Sequence, residues 1–303
     1  MKRFFIKILL FFSLIIVVDV VLGHVFDYML AHTKGGINGR NNYICNETNE
    51  EILVFGSSRA QHSYNPKIIS DSSGLSCYNC AQNANGIILA VARYQLILQR
   101  YKPKVLIYDV TPTFDFLGGE DNSKYLGWLR AYYDRNGIPA VFESIDKTEK
   151  VKMVCQMYRH NTKFLALISD YIHPLTGMGN KGFRPYYEKM DTMKLRNRIV
   201  DTDTPIIYDS IKISYLKKLV EESDYTKVVF VVSPWWYGAD TILYQPVREL
   251  CNEYGIPYID FSNHPKYVHC NDLFKDGSHL NSKGADEFSR DLCIELKKRR
   301  ILQ

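Results

Sequence analysis

The stretch Glu51-Ile52-Leu53-Val54-Phe55-Gly56-Ser57-Ser58-Arg59-Ala60-Gln61-His62 decides the fold. Its first five residues form a nearly continuous apolar run rich in β-branched side chains, as a strand buried on both faces requires. Gly56 can turn sharply without a Cβ penalty, so two serines follow where that strand should end. Lys104–Tyr108 and Lys227–Val232 repeat the pattern, and Leu75–Tyr78 and Pro257–Phe261 are shorter candidates. Between these runs, 87–100 carries apolar residues at 87, 88, 91, 94, 97 and 98, the period of a helix, and 211–222, 241–254 and 282–299 behave similarly. Alternating strands and helices predict an α/β fold with a parallel sheet covered on both faces. In such sheets ligands bind beyond the carboxyl ends of the strands.

The chain has 303 residues, 46% of them hydrophobic, which is ample for a buried core. Its formal charge of +5 is spread thinly apart from Lys297-Lys298-Arg299-Arg300, which reads as a solvated helix end. Nucleic acid is therefore not an expected partner. Met1-Lys2-Arg3 leads into an apolar run from Phe4 to Leu22 broken only by Lys7, Ser13 and Asp19. That is the length a bilayer core requires, and the basic lead places the N-terminus in the cytoplasm. A single-pass anchor of a bacterial inner membrane, with the remainder periplasmic, is preferred to a secreted protein cleaved near Gly23, because the run is long for a signal peptide.

Residues 1–32 are thus expected to be the anchor and juxtamembrane segment, and 33–50, polar and glycine-rich, a linker. Residues 51–303 form the α/β domain, interrupted by a tyrosine-rich insertion at about 113–204. That insertion holds a helical stretch, Lys147–Ile172, and a glycine-rich loop at 176–183. Seven cysteines cannot all pair within the chain. Cys77-x-x-Cys80 has redox or zinc spacing but no second pair or histidine near it, and reads as a buried strand end. An extracytoplasmic compartment permits a disulfide such as Cys251 with Cys270 without requiring one.

A serine is a weak nucleophile without a base within hydrogen-bond reach. Near the far end, Asp276-Gly277-Ser278-His279-Leu280-Asn281 precedes a final helix that Ser282 is placed to cap. On a turn, an aspartate three before a histidine can hold that imidazole with Nε2 free. The competing reading of Ser58 is a plain helix cap, and His62, one turn further on, reads as a locally packed or solvent-facing residue.

Gly56-Ser57-Ser58 and Asp276-x-x-His279-Leu280-Asn281 together resemble the first and last blocks of the SGNH (GDSL-type) hydrolases. The resemblance covers roughly 50–112 and 225–299, and the Gly-Ser-Ser variant is also similar to membrane-anchored members that act on acyl groups of envelope polymers. It implies a flavodoxin-like three-layer α/β/α sandwich in which Ser58 is the nucleophile, His279 the base and Asp276 its orienter. Ser57 stands at the Asp of the family's block and Arg59 at its Leu. The oxyanion would be held by the backbone N–H groups of Ser58 and Ala84, the latter standing where the family has glycine. The family's third-block asparagine is absent, since that strand ends in Tyr108-Asp109-Val110-Thr111, leaving Asn83 or Asn85 as replacements.

Asp109 and Trp235 are candidate substrate contacts, with loop capping and core packing as their respective competitors. His160, His173, His264 and His269 lack metal-ligand spacing, and neither metal nor cofactor is expected. The function implied is a serine esterase or O-acyltransferase whose partners are the membrane and an acyl ester of an envelope carbohydrate. The alternative is a non-catalytic carbohydrate-binding or assembly protein of the same fold. A phosphate binder is disfavoured, because Gly56-Ser57-Ser58-Arg59 lacks the further glycines and lysine of phosphate-cradling loops.

Overall fold

All five apolar runs form strands in the computed structural model, which describes residues 1–161, 163–173, 179–191 and 205–302. They are β1 (Ile52–Gly56), β2 (Cys77–Asn79), β3 (Val105–Asp109), β4 (Lys227–Val232) and β5 (Tyr258–Asp260). The sheet is parallel throughout, in the order β2-β1-β3-β4-β5. One face, bearing Ile52, Val54, Ile107, Val229 and Val231, packs against Tyr64, Phe288 and Leu292. This face is covered by the helices Ser58–Ser63, Pro66–Ser73 and Ser282–Lys298. The alternate side chains point the other way, with the Phe55 ring meeting that of Tyr94 edge-on, under Ile87–Leu98, Ser210–Glu221 and Gln245–Tyr254. Burial on both faces explains the unbroken apolar runs, each large side chain contributing about 1.5–3 kcal/mol.

After β1 the chain winds to one side, and after β2 it crosses to the other. Crevices for ligands open at such a switch point. Here it lies between the paired ends of β1 and β3, where Gly56 stands opposite Asp109.

The described residues divide into two compact units, Thr48–Glu120 with Gly179–Gln303, which carries the sheet, and Met1–Glu47 with Asp121–Met178. The second unit begins with one 31-residue helix, Lys2–His32. Residues 33–50, expected to be a linker, instead hold the helix Gly36–Asn46, with Asn38, Arg40, Asn41 and Asn42 buried. Their polarity is misleading because partners distant in sequence satisfy it. Asn38 donates through its backbone N–H and Nδ2 to Asp170, and Asn41 Nδ2 donates to the Trp128 carbonyl.

The stretch 147–172 is likewise not one helix but three, Glu149–Lys152, Gln156–Arg159 and Phe164–Ile172. The Asp19 carboxylate accepts the N–H groups of Gln156 and Met157, restarting the helix there. Of the glycine-rich loop, 176–178 lie outside the described residues, and Gly179–Gly182 forms a tight turn with Asn180 and Lys181 at positive φ. All seven cysteines are free thiols; Cys77 opens β2 and Cys80 lies just past its end, both buried.

Candidate active site

β1 ends in a backbone conformation that excludes a side chain. Gly56 has φ +143°, and a Cβ there would lie 2.7 Å from the Asp109 carbonyl oxygen and 2.8 Å from the Ala60 Cβ. The two serines behind it divide the roles that the sequence left in competition. Ser57 is fully buried and is the helix N-cap, its Oγ accepting the Arg59 N–H at 3.3 Å and lying 2.8 Å from Thr111 Oγ1 across the switch point. Ser58, the first helical residue, is half-buried, and its Oγ lies 2.9 Å from His279 Nε2.

His279 is held by a turn built on one carboxylate. Asp276 Oδ1 accepts from the backbone N–H of Ser278 (2.9 Å) and of His279 (3.0 Å) and from the Ser278 hydroxyl (3.0 Å). Both carboxylate oxygens also lie 3.0 Å from His279 Nδ1. With Nδ1–H donated to this carboxylate, Nε2 presents its lone pair to Ser58. Burial works to raise the Asp276 carboxyl, but hydrogen bonding to His279 and the imidazole's charge outweigh it and hold the group well below the usual carboxylate range. The final helix is capped not by Ser282 but by Asn281, whose Oδ1 accepts the Gly284 N–H at 3.0 Å. The cap sits one residue earlier because Asn281 Nδ2 is also tied to the carbonyls of Asp272 and Phe274, closing the loop that leads into the turn.

His62 packs locally rather than facing solvent. It is buried, stacked on Tyr186 with ring centroids 4.0 Å apart, and edge-on to His279 at 5.7 Å. Its Nδ1 meets the Arg184 carbonyl, and burial pushes its pKa down to about 4, so it stays neutral beside His279. Neither Tyr186 nor Ser278 carries a local sequence signal for this place.

Asp109 is not a substrate contact. It is completely buried at the end of β3, where it accepts from Tyr64 Oη at 2.7 Å and from the Ser233 N–H and hydroxyl at 2.8 and 3.1 Å. Burial pushes its carboxyl up, opposed by the charge of Arg59 and by these donors. Arg59 is buried too. It donates to the carbonyl and Oγ of Ser233 and, at 3.4 Å, to the carbonyl of Ser278 in the His279 turn. Its guanidinium lies 3.7 Å from the centre of the Trp235 ring, so one face of that candidate substrate contact is taken by the protein itself. Trp235 Nε1 is spent on Tyr244 Oη.

Among the candidate oxyanion donors, the backbone N–H groups of Ser58 and Ala84 have no hydrogen-bond partner among the described residues. Ala84 sits at φ +54°, the conformation glycine adopts most readily. The Asn83 N–H is spent on Gln61 Oε1. Asn85 is buried and its Nδ2 donates to the Asn83 carbonyl, closing the turn from inside.

The parallel sheet with helices on both faces is the fold class expected from the sequence. The fold itself is a five-stranded parallel sheet in the order β2-β1-β3-β4-β5 between two layers of helices. No family model matches the sequence, and no curated protein matches it. Solved structures to which the chain is similar include a lipase/acylhydrolase from Enterococcus faecalis, 12% identical, with a TM-score of 0.39 over 82% of this chain and 95% of that one. A family two carbohydrate esterase from Clostridium thermocellum, solved with cellohexaose, is 10% identical with a TM-score of 0.42 over 84% of this chain and 65% of that one. An acetyl xylan esterase from Butyrivibrio proteoclasticus is 9% identical with a TM-score of 0.36 over 82% and 63%.

Proposed function

We propose that the sheet-bearing unit is a serine esterase or O-acyltransferase with Ser58 as nucleophile, His279 as base and Asp276 as its orienter. The observation that carries this reading is the unbroken chain from Ser58 Oγ to His279 Nε2 (2.9 Å) and from Nδ1 to Asp276 (3.0 Å). As Oγ bonds to the ester carbonyl carbon, Nε2 takes its proton. The carbonyl oxygen becomes an oxyanion, received by the free N–H groups of Ser58 and Ala84. When the C–O bond to the leaving alcohol breaks, the imidazolium returns the proton to it, leaving an acyl ester on Ser58. Water or a second hydroxyl then gives its proton to Nε2 and attacks that ester; the C–O bond to Ser58 breaks and the imidazolium returns the proton to Oγ. The product is a free acid in the first case and a transferred acyl group in the second.

The substrate class proposed, an O-acylated envelope carbohydrate, rests on the family resemblance and on the N-terminal helix, which we read as a retained inner-membrane anchor with the remainder of the chain periplasmic. One observation favours a second reading, a carbohydrate-binding protein without turnover. The strand end that carries an asparagine donor in the family carries the sealed Asp109 here, and a missing oxyanion donor costs about 10²–10³ in rate.

Turnover of short-chain acyl esters by the full chain separates the two readings. The enzyme reading predicts hydrolysis that falls at least about 10³-fold in Ser58→Ala. Added acceptor glycan that diverts the acyl group from free acid would mark a transferase. Wild-type protein without turnover of any ester, while still binding glycan, sinks the enzyme reading.

A further inference from the structure

The N-terminal helix has two halves with different surroundings. From Phe4 to Val18 its large apolar side chains are exposed, Phe5 by 65% and Leu9 by 67%. From Asp19 onward, one face docks within its own unit. Asp19 accepts from the N–H groups of Gln156 and Met157 at 2.8 and 2.9 Å and from Cys155 Sγ at 2.8 Å. At Gly23 any Cβ would lie 2.3 Å from the Gln156 Cβ, so the helix and the 156 segment touch backbone to side chain there. Phe26 is buried against His160, and Asp27 meets His160 Nε2 at 2.9 Å. Positions 19, 23, 26 and 30 recur at four, three and four residues, a single face of a helix. Asp19, an acidic residue inside an apolar run, is thus accounted for as a pin between the helix and residues 155–157.

At about 1.5 Å per residue, the apolar run Phe4–Leu22 spans about 28 Å, close to the roughly 30 Å hydrocarbon core of a bilayer, so that core ends within one helical turn of Asp19. A continuous helix pinned from Asp19 onward fixes the depth of whatever is pinned to it. Residues 150–157 therefore lie where the helix leaves the apolar core. There Val151 and Val154 are 73% and 78% exposed, flanked by Lys150 and Lys152. Both lysines are ion-paired within the unit, Lys150 to Glu143 at 2.8 Å and Lys152 to Glu149 at 2.6 Å, so it is the exposed valines that suit the boundary of the acyl chains.

We infer that the Lys150–Val154 edge of this unit is a second membrane contact, seated on the lipid surface beside the anchor and holding the unit at a fixed height. This rests on the anchor reading. It goes beyond that reading in replacing a tether with a rigid mount, whose residues 19–32 belong to the folded unit and are not removed by cleavage near Gly23.

The test uses the full chain in vesicles of phosphatidylethanolamine and phosphatidylglycerol. Val151→Cys and Val154→Cys, each in a Cys155→Ser, Cys270→Ser background, are labelled with an environment-sensitive fluorophore. Ile172→Cys is the control from the same unit. It is exposed and lies two residues past Asp170, which binds Asn38 beyond the far end of the helix. A headgroup-attached spin label should quench positions 151 and 154 at least about threefold more than position 172, with blue-shifted emission. Flotation of the same samples reports the anchor independently. Protein that floats but gives equal quenching at all three positions overturns the second contact alone, whereas protein that fails to float overturns both readings. An intact mass lacking residues 1–23 overturns the rigid mount.

Discussion

β1 and β3 end side by side, Gly56 opposite Asp109, yet the two ends are put to opposite uses. The first delivers a half-buried serine hydroxyl to a histidine that is 20% exposed. The second is completely sealed, its carboxylate bound by Tyr64 and Ser233 and neighboured by Arg59. The Ser58 end takes its partner from a turn 221 residues away, whereas the Asp109 end is closed by its own neighbours. Through Ser233 and Arg59, the network at Asp109 reaches the Ser278 carbonyl in the turn that holds His279.

The largest difference between the two ends should appear on removing one group from each. His279→Ala is expected to lower kcat on an acyl ester at least about 10³-fold while leaving the urea midpoint nearly unchanged. Asp109→Ala should do the reverse first, costing about 3–5 kcal/mol because Arg59 is left buried without its counter-charge. Its activity should fall only as folded protein is lost or Arg59 shifts. Equilibrium unfolding and kinetics on the same preparations check both, and a stable Asp109→Ala protein would break the comparison. A smaller effect is expected of Tyr64→Phe, which removes one hydrogen bond to Asp109 and should cost about 1–3 kcal/mol.

The smallest effect is a pH dependence. Asp276 is held below its unfolded value of about 3.9. Its stabilising contribution is therefore present above that value and lost as pH falls through the lower folded one. Urea midpoints measured from pH 7 to pH 3 should show the gap between wild type and Asp276→Asn closing below about pH 4. A gap that is constant with pH would mean that the carboxylate is not held by His279 in solution.

What the sequence made legible follows the range of the interactions. β1, β3 and β4 declare themselves because burial on both faces forces long apolar runs, and the Asp276–His279 turn because all its bonds span three residues or fewer. Ser58 is legible only in company with that turn, since Ser57 beside it makes an equally good cap and is in fact the cap. Asn281 three before Gly284 carried a capping signal that Ser282 masked. The buried helix Gly36–Asn46 and the sealed Asp109 are illegible for one reason. Each is a polar residue or segment whose partners, Asp170 and Trp128 in one case and Tyr64 and Ser233 in the other, come from elsewhere in the chain.

The central claim is that Ser58, and not Ser57, is the nucleophile activated by His279. Labelling the full chain with a fluorophosphonate and locating the adduct by peptide mass spectrometry tests it most directly. The adduct is expected on Ser58, retained in Ser57→Ala and abolished in Ser58→Ala and His279→Ala. An adduct on any other serine, or a Ser58 adduct that forms equally fast without His279, would contradict the account.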